Sequence, residues 1–174
     1  NFDKSDIGSV IHAVLYNLYK PYLNTSLNKK IMDRIQGCID VELKNALNDY
    51  TDLNLDKGKN ILIIEAIERI LKNFISHESK LINEGNTIKI EHLEHEMGTY
   101  NFPTNALNRS LNHTQKDYVN LKGTVDRIDV FNNQYRIIDY KTGFVQSSDL
   151  ITSTLTNIQE NPKILQLLLY AWLF

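Results

Sequence analysis

The chain has 174 residues, of which 42% are hydrophobic and 23% are charged, and its formal net charge is −2. These values are ordinary for a globular protein, so we expect one domain over residues 1–174 and no bulk charge signature of nucleic-acid binding. No apolar run approaches the roughly eighteen residues that a membrane span needs, and the single cysteine, Cys38, excludes an internal disulfide framework, which fits a cytoplasmic protein without membrane contact.

The first half of the chain, residues 1–84, is predicted to be helical. Apolar residues at helical spacing predict a first helix that is capped by Ser5 or Asp6 and runs to about Lys20, where Pro21 ends it. The same spacing predicts two further helices, over about 27–48 and 60–83.

The second half, residues 87–174, changes to the period of β-strands. Three strands are predicted, over 87–97, 119–131 and 134–141. The first changes phase near His92, and the last two are joined by Asn132-Asn133, a dipeptide that tolerates the positive φ of a tight turn. Residues 98–117 are predicted to be loop, and Pro162 to begin a final helix. Helices, then strands, then a helix predict an α/β (α+β) fold with a small sheet flanked by helices.

The predicted hairpin brings two carboxylates and a lysine together. With its turn at residues 132 and 133, Asp126 lies directly opposite Asp139, with Cβ atoms roughly 4.5–5.5 Å apart. Lys141 lies two residues beyond Asp139 and therefore on the same face of the strand. The same register pairs Asp129 with Arg136 on the opposite face, which indicates a structural ion pair rather than a part of the site.

Two facing carboxylates with the apolar neighbours Ile128 and Ile137 need a proton, a cation or a lysine between them, because like charges repel in such a place. A divalent cation satisfies the two carboxylates best. Their hard oxygens favour Mg²⁺ or Mn²⁺. A divalent ion makes water a better nucleophile, and the Lys141 ammonium can stabilise charge that develops on a phosphate. These three features together predict phosphodiester hydrolysis.

A purely structural charge cluster is the alternative interpretation of these residues. An acid-x-lysine triplet alone is weak evidence, because Glu42-x-Lys44 and Glu78-x-Lys80 occur in helical patterns of the same chain. Asp139-x-Lys141 differs in ending a strand, following an apolar pair and facing a carboxylate across the hairpin. The residues by themselves leave both interpretations open.

Four motifs occur along the chain in a fixed order. They are Gly8-x-x-x-His12, Gly123-Thr-Val-Asp126-Arg-Ile-Asp129, Ile137-Ile138-Asp139-Tyr-Lys141-Thr142 and Gln166-x-x-x-Tyr170. Together they resemble the RecB-like branch of the PD-(D/E)XK nuclease superfamily, which includes RecB/AddB nuclease domains and CRISPR-associated RecB-like nucleases. The resemblance spans nearly the whole chain. It implies a restriction-endonuclease-like core, cleavage of DNA and one or two Mg²⁺ or Mn²⁺ ions.

The resemblance also implies a role for each motif residue. The residues that correspond to metal ligands are His12, Asp126, Asp139 and, through its carbonyl, Tyr140. Lys141 corresponds to the catalytic lysine, and Gln166 and Tyr170 to catalytic residues beside the metal site and the DNA. From the residues alone, a helix histidine with an ordinary hydrogen-bond partner is the favoured interpretation of His12, and a pair bonded to backbone is the favoured interpretation of Gln166 and Tyr170.

The family often has an acidic residue on the strand before the hairpin. Glu94 best matches its pattern of an apolar residue followed by Glu, so Glu94 is our further candidate metal ligand. Glu91 and Glu96 remain alternatives. A solvated strand face is an equally good interpretation of each.

The leading prediction is a Mg²⁺- or Mn²⁺-dependent deoxyribonuclease, an exonuclease in DNA repair or recombination whose partner is DNA. An inactive nuclease-fold DNA-binding or scaffold module and a helical interaction domain are the alternatives, and endonucleolytic cleavage stays open. No iron–sulfur cluster is expected, because the cysteines that hold one in some relatives are absent. We expect the chain to be a piece of a longer protein, with a helicase or recombination-factor region as a candidate partner. Scattered basic residues are usually solvated surface, but some of those in this chain could contact phosphates: Lys29, Lys30, Arg34, Lys116, Lys122 and Arg127.

Overall fold

The computed structural model describes residues 3–48, 58–103, 118–143 and 161–174. The chain divides into two compact units. The first unit comprises Asn1–Leu93 and Asp126–Val145, and the second unit comprises Glu94–Val125 and Gln146–Phe174. The expectation of a single nuclease domain over the whole chain stays a prediction.

Helix α1 covers Lys4–Tyr19 and begins earlier than predicted. Its cap is Asp3, not Ser5 or Asp6: the Asp3 carboxylate accepts from the amide of Asp6 at 2.8 Å, and the Asp6 carboxylate accepts from the amide of Asp3 at 2.9 Å. Each side chain thus satisfies a backbone N–H that the first helical turn leaves without a partner. A 3-10 turn, Lys20–Tyr22, ends the helix, as the proline within it predicted.

Two longer helices complete the helical part of the first unit. Helix α2 covers Lys29–Leu47 and is capped by Asn28, and helix α3 covers Lys59–Asn83. Both predicted helices are therefore confirmed. Their apolar faces share one core with α1, whose buried members include Val14, Leu18, Ile35, Ile39, Leu71 and Ile75. Burial of each such side chain contributes roughly 1.5–3 kcal/mol, and this holds the three helices together.

A three-stranded sheet follows, in the order β1-β2-β3. The strands cover Ile88–Pro103, Tyr118–Phe131 and Gln134–Ile138. Residues 98–103 were expected to be loop but continue β1, and the rest of that expected loop lies outside the described residues. The backbone at Gly98 lies so close to Leu121 of β2 that a Cβ there would stand 3.0 Å from its carbonyl oxygen. Contact between strands, which local sequence pattern does not report, thus sets the length of β1.

The alternation of buried residues along β1 changes phase at Glu94. Before this position in the sequence, the buried residues are Ile88 and Ile90. After it, Met97 is buried, at an odd number of residues from both. Glu94 has a φ of +47°, a left-handed conformation that costs a non-glycine residue about 1–3 kcal/mol. One residue in that conformation shifts the alternation by one position. The phase change that the pattern places near His92 is thereby confirmed.

Helix α4 covers Pro162–Leu173, as predicted. Asn161 caps it by accepting from the amides of Lys163 and Ile164 at 3.2 and 3.4 Å. Within the described ranges no helix is both long and apolar enough to cross a membrane. Three helices, a small sheet and a final helix confirm the predicted α/β (α+β) class.

Candidate active site

The turn of the β2–β3 hairpin fixes which residues can meet. Asn132 and Asn133 have φ values of +48° and +66°, the pattern of a type I′ turn that asparagine accepts better than most residues. The strands pair antiparallel with the predicted register, up to the pair Arg127↔Ile138. Every side chain on the hairpin therefore lies on the face that the sequence predicts.

Asp126 is the next residue in this register and corresponds to Asp139, just past the end of β3. The buried Asp126 carboxylate accepts a hydrogen bond from the Tyr140 amide through Oδ2, and Oδ1 of Asp126 lies 3.2 Å from Nδ1 of His12. Nε2 of the same imidazole lies 3.0 Å from the Tyr140 carbonyl oxygen. Asp126, His12 and the Tyr140 peptide thus form a closed ring of polar contacts. Because the Asp126 side chain accepts the hydrogen bond of the Tyr140 amide, β3 ends at Ile138 and not at Lys141, where the sequence predicted its end.

The atoms of this ring suit a hard divalent cation. Carboxylate and carbonyl oxygens are the preferred ligands of Mg²⁺ and Mn²⁺. Both nitrogens of His12 face oxygen acceptors, but a neutral imidazole has only one N–H. One contact therefore sets a nitrogen lone pair against an oxygen, and a second proton or a cation relieves that repulsion.

Lys141 and Asp139 lie together beyond β3. Lys141 Nζ is 2.6 Å from Asp139 Oδ2, which agrees with their predicted placement on one face. The Asp139 side chain is 8% exposed and that of Lys141 is 42% exposed, so the amine is accessible to a ligand. The segment continues past α1 at Gly8, where a Cβ would lie 3.6 Å from the hydroxyl of Thr142.

A cavity of about 230 Å³ adjoins the same segment. Residues 138–142 line part of it, and apolar side chains of α1 and α3 line the rest. The helical residues are Ile11, Leu15, Ile70, Leu71 and Phe74. Because Lys141 is among the lining residues, a group that entered this cavity would lie next to its side chain.

The opposite face of β2 carries a buried ion cluster, which consists of Glu78, Arg127, Asp129 and Arg136. Arg136 donates to Asp129 at 2.9 and 2.8 Å, so the predicted cross-strand pair is confirmed. Arg127 contacts Asp129 at 2.6 Å and Glu78 at 3.0 and 2.9 Å. Since Glu78 belongs to α3, the cluster ties both strands of the hairpin to a helix, on the side away from Asp126.

Arg127 is therefore a structural residue, and its burial contradicts both interpretations from sequence, a phosphate contact and a solvated surface residue. Its side chain is 0% exposed. Burial opposes its charge, but the carboxylates of Glu78 and Asp129 raise the pKa of Arg127 well above its ordinary value. Tyr19 donates a hydrogen bond to Glu78, and its ring lies 4.5 Å from the Arg127 guanidinium. The period-two spacing of Arg127 and Asp129 could have revealed this, because it puts both on the face opposite Asp126.

The whole chain, residues 1–174, matches a family model, that of the PD-(D/E)XK nuclease superfamily. The chain belongs to this superfamily. The predicted family is thereby confirmed at the level of the superfamily. No curated protein and no solved structure gives a significant match.

The last motif of this nuclease-superfamily chain lies on α4, in the second unit. Nε2 of Gln166 donates to the hydroxyl of Tyr170 at 2.7 Å, so these two motif residues bond to each other. The Tyr170 ring is buried against Gly123, where a Cβ would lie 2.6 Å from its Cε1 atom. Gly123 of the second motif is thus required by packing, because the tyrosine occupies the space of a side chain. Sequence spacing does not connect these motifs, since they are distant along the chain.

Three glutamates on β1 were candidates for the further acidic residue of the superfamily. Glu91 accepts from Lys89 Nζ at 2.7 Å, so that carboxylate has a cation of its own. Glu94 and Glu96 are exposed residues of the second unit. Only Glu94 has the left-handed backbone, a strain that tends to occur at functional positions. Its role as a metal ligand stays a prediction.

Proposed function

We propose that the chain is a Mg²⁺- or Mn²⁺-dependent DNA nuclease of the RecB-like branch, which cleaves exonucleolytically in DNA repair or recombination. The observation that carries this proposal is the convergence of Asp126, His12 and the Tyr140 peptide next to Asp139 and Lys141. Membership of the nuclease superfamily supports the reaction class.

The residues that would hold the ion in the first unit are His12, Asp126, Asp139 and the carbonyl of Tyr140. When bound, a divalent ion places positive charge beside the scissile phosphate and makes water a better nucleophile. The protein supplies ligands that are already oriented: each Asp126 oxygen has its own contact, one with His12 and one with the Tyr140 amide. Little reorganisation is then needed when the ion and the substrate arrive.

Lys141 is the positively charged side chain that the protein offers to a substrate phosphate. Its amine is accessible, and Nζ lies 2.6 Å from Oδ2 of Asp139, one of the proposed ligands. A phosphate that approaches can share this ammonium with Asp139, so the lysine neutralises charge that develops on the phosphate oxygens. We assign it this role, together with orientation of the attacking water.

Gln166 and Tyr170 are both proposed to take part in catalysis, but in different roles. The Tyr170 ring is only 7% exposed and packs on Gly123, so it is poorly placed to contact a substrate directly. Its hydroxyl accepts a hydrogen bond from the side-chain amide of Gln166 at 2.7 Å. We therefore assign contact with the substrate to Gln166 and orientation of that amide to Tyr170.

The test is cleavage of linear single- and double-stranded DNA in the presence of MgCl₂, MnCl₂ or EDTA. Lys141→Ala is the informative variant, and Lys44→Ala is its matched control, because Lys44 is an exposed lysine of another acid-x-lysine triplet. We expect cleavage with either metal and none with EDTA. Lys141→Ala should lower the rate by about 100- to 1,000-fold, whereas Lys44→Ala should stay within about twofold of the unmodified protein.

The rival, an inactive nuclease-fold DNA-binding or scaffold module, gives a different pattern. It predicts DNA binding without cleavage under every metal condition. Cleavage that persists in EDTA, or that Lys141→Ala and Lys44→Ala change equally, would contradict the proposed mechanism.

A further inference from the structure

The side chain of Tyr140 lies directly behind the candidate site. Its ring meets the imidazole of His12 edge-on, with centroids 5.7 Å apart and planes at 88°. On another side it meets the ring of Phe74, with centroids 5.4 Å apart and planes at 85°. Edge-to-face geometry of this kind is a favourable arrangement that fixes the relative orientation of two rings.

The peptide of the same residue makes polar contacts within the site. Its N–H donates to Asp126, and its carbonyl oxygen lies 3.0 Å from His12 Nε2. The strand has already ended at Ile138, so the sheet does not fix the orientation of this peptide. Packing of the Tyr140 side chain is therefore what holds it, together with the two contacts themselves.

The hydroxyl at the far end of the Tyr140 side chain makes no hydrogen bond that could hold it. Among the described residues this oxygen is buried without a hydrogen-bond partner. The ring, which packs against the helical core, is therefore the part of the side chain that makes directed contacts, one with His12 and one with Phe74.

We infer that Tyr140 is a positioning residue, whose ring, supported by Phe74, holds the imidazole of His12 and its own peptide in line with Asp126. Its effect on cleavage rests on the proposed function, but its effect on His12 does not. The ring and not the hydroxyl does the positioning, because the ring makes both edge-to-face contacts. An ordinary core tyrosine would affect stability alone.

Three variants separate positioning from stability. Tyr140→Phe keeps the ring, Tyr140→Leu removes it, and Tyr22→Leu is the matched control, since Tyr22 is a partly buried tyrosine packed on the same core. The first readout is the ¹⁵N NMR spectrum of the histidine rings in the metal-free protein, with the His12 signal assigned through His12→Asn. The second is the affinity for MnCl₂ by calorimetry, and the third is the melting temperature.

We expect Tyr140→Phe to keep the His12 ring signals and to bind Mn²⁺ within about twofold of the unmodified protein. Tyr140→Leu should shift the His12 signals and weaken Mn²⁺ binding by about tenfold or more, as loss of an outer support of a metal ligand typically does. Tyr22→Leu should lower the melting temperature without either change. If Tyr140→Leu does not fold, Phe74→Leu removes the support on the other side and should give the same changes to a smaller degree.

Unchanged His12 signals in Tyr140→Leu, or in Phe74→Leu if that variant is needed, would overturn the inference whatever the metal affinity. If the unmodified protein binds no Mn²⁺, the proposed metal dependence fails, whereas the NMR comparison still decides whether Tyr140 positions His12. The two proposals therefore fail separately.

Discussion

Replacement of Arg127 by methionine tests whether the buried ion cluster is structural. Methionine fills much of the same space but removes the charge that faces Glu78 and Asp129. Asp129 keeps its two bonds from Arg136, at 2.9 and 2.8 Å. Glu78 keeps the hydroxyl of Tyr19 and a more distant Arg136 at 3.6 Å. The main consequence is a buried carboxylate on α3 whose remaining cation, Arg136, lies 3.6 Å away.

The expected loss of stability follows from that residual charge. Breaking a buried ion pair by removing one partner costs about 3–5 kcal/mol, because the other charge stays buried. For a chain of this size, that loss corresponds to a fall in melting temperature of about 6–20 °C. Addition of Glu78→Gln should recover about 1 kcal/mol or more, since an amide can still accept from Tyr19 without carrying a charge.

The measurement is urea denaturation followed by circular dichroism. Arg34→Met is the matched control, because Arg34 is exposed on α2, and its effect should stay within about 0.5 kcal/mol. Salt-dependent binding of DNA is measured beside it. An Arg127→Met protein of unchanged stability, whose binding depends on salt with a slope smaller by about one, would show a phosphate contact and refute the structural role.

Two further predictions concern ionisation and packing. Burial raises the pKa of Tyr19 and Tyr140 above the ordinary 10.0, so the folded chain keeps protons that the unfolded chain loses. This contribution is complete below about pH 10 and is lost as pH rises through the folded pKa. Replacement of both tyrosines by phenylalanine should therefore make the unfolding free energy fall less steeply above about pH 10. The slope should change by up to about 1.4 kcal/mol per pH unit for each tyrosine. Equal slopes for the variant and the unmodified protein in alkaline urea titrations would argue against this prediction. Gly123→Ala should cost about 1–3 kcal/mol because its Cβ would lie 2.6 Å from the Tyr170 ring, whereas Gly37→Ala meets open space on α2 and should stabilise by up to about 1 kcal/mol; calorimetric melting that gave both variants the same sign would contradict this packing.

Local signals predicted most of the elements. Helical spacing placed α2 and α3, Pro162 placed α4, and two consecutive asparagines placed the hairpin turn with the correct register. The start of α1 was missed although its capping residue, Asp3, is a local feature. The other errors occurred where a distant partner decides an end. Strand β1 extends beyond its local pattern where Gly98 packs close to β2, and β3 stops early because the Asp126 carboxylate takes the Tyr140 amide.

By itself the sequence determined the candidate site on the hairpin, since the turn and the period of a strand are local properties. It placed Asp126 and Lys141 on one face and Asp129 on the other without any tertiary contact. The superfamily match over the whole chain agrees with the motifs that carried the resemblance.

Only the tertiary structure decided what surrounds that site. It brought His12 of α1 within 3.2 Å of Asp126, and it buried Arg127 among carboxylates with its side chain 0% exposed. It also placed the ring of Tyr140 against that imidazole. These contacts join residues more than forty positions apart or depend on which strand face a helix covers, and the packing of a whole core, not a local period, determines both.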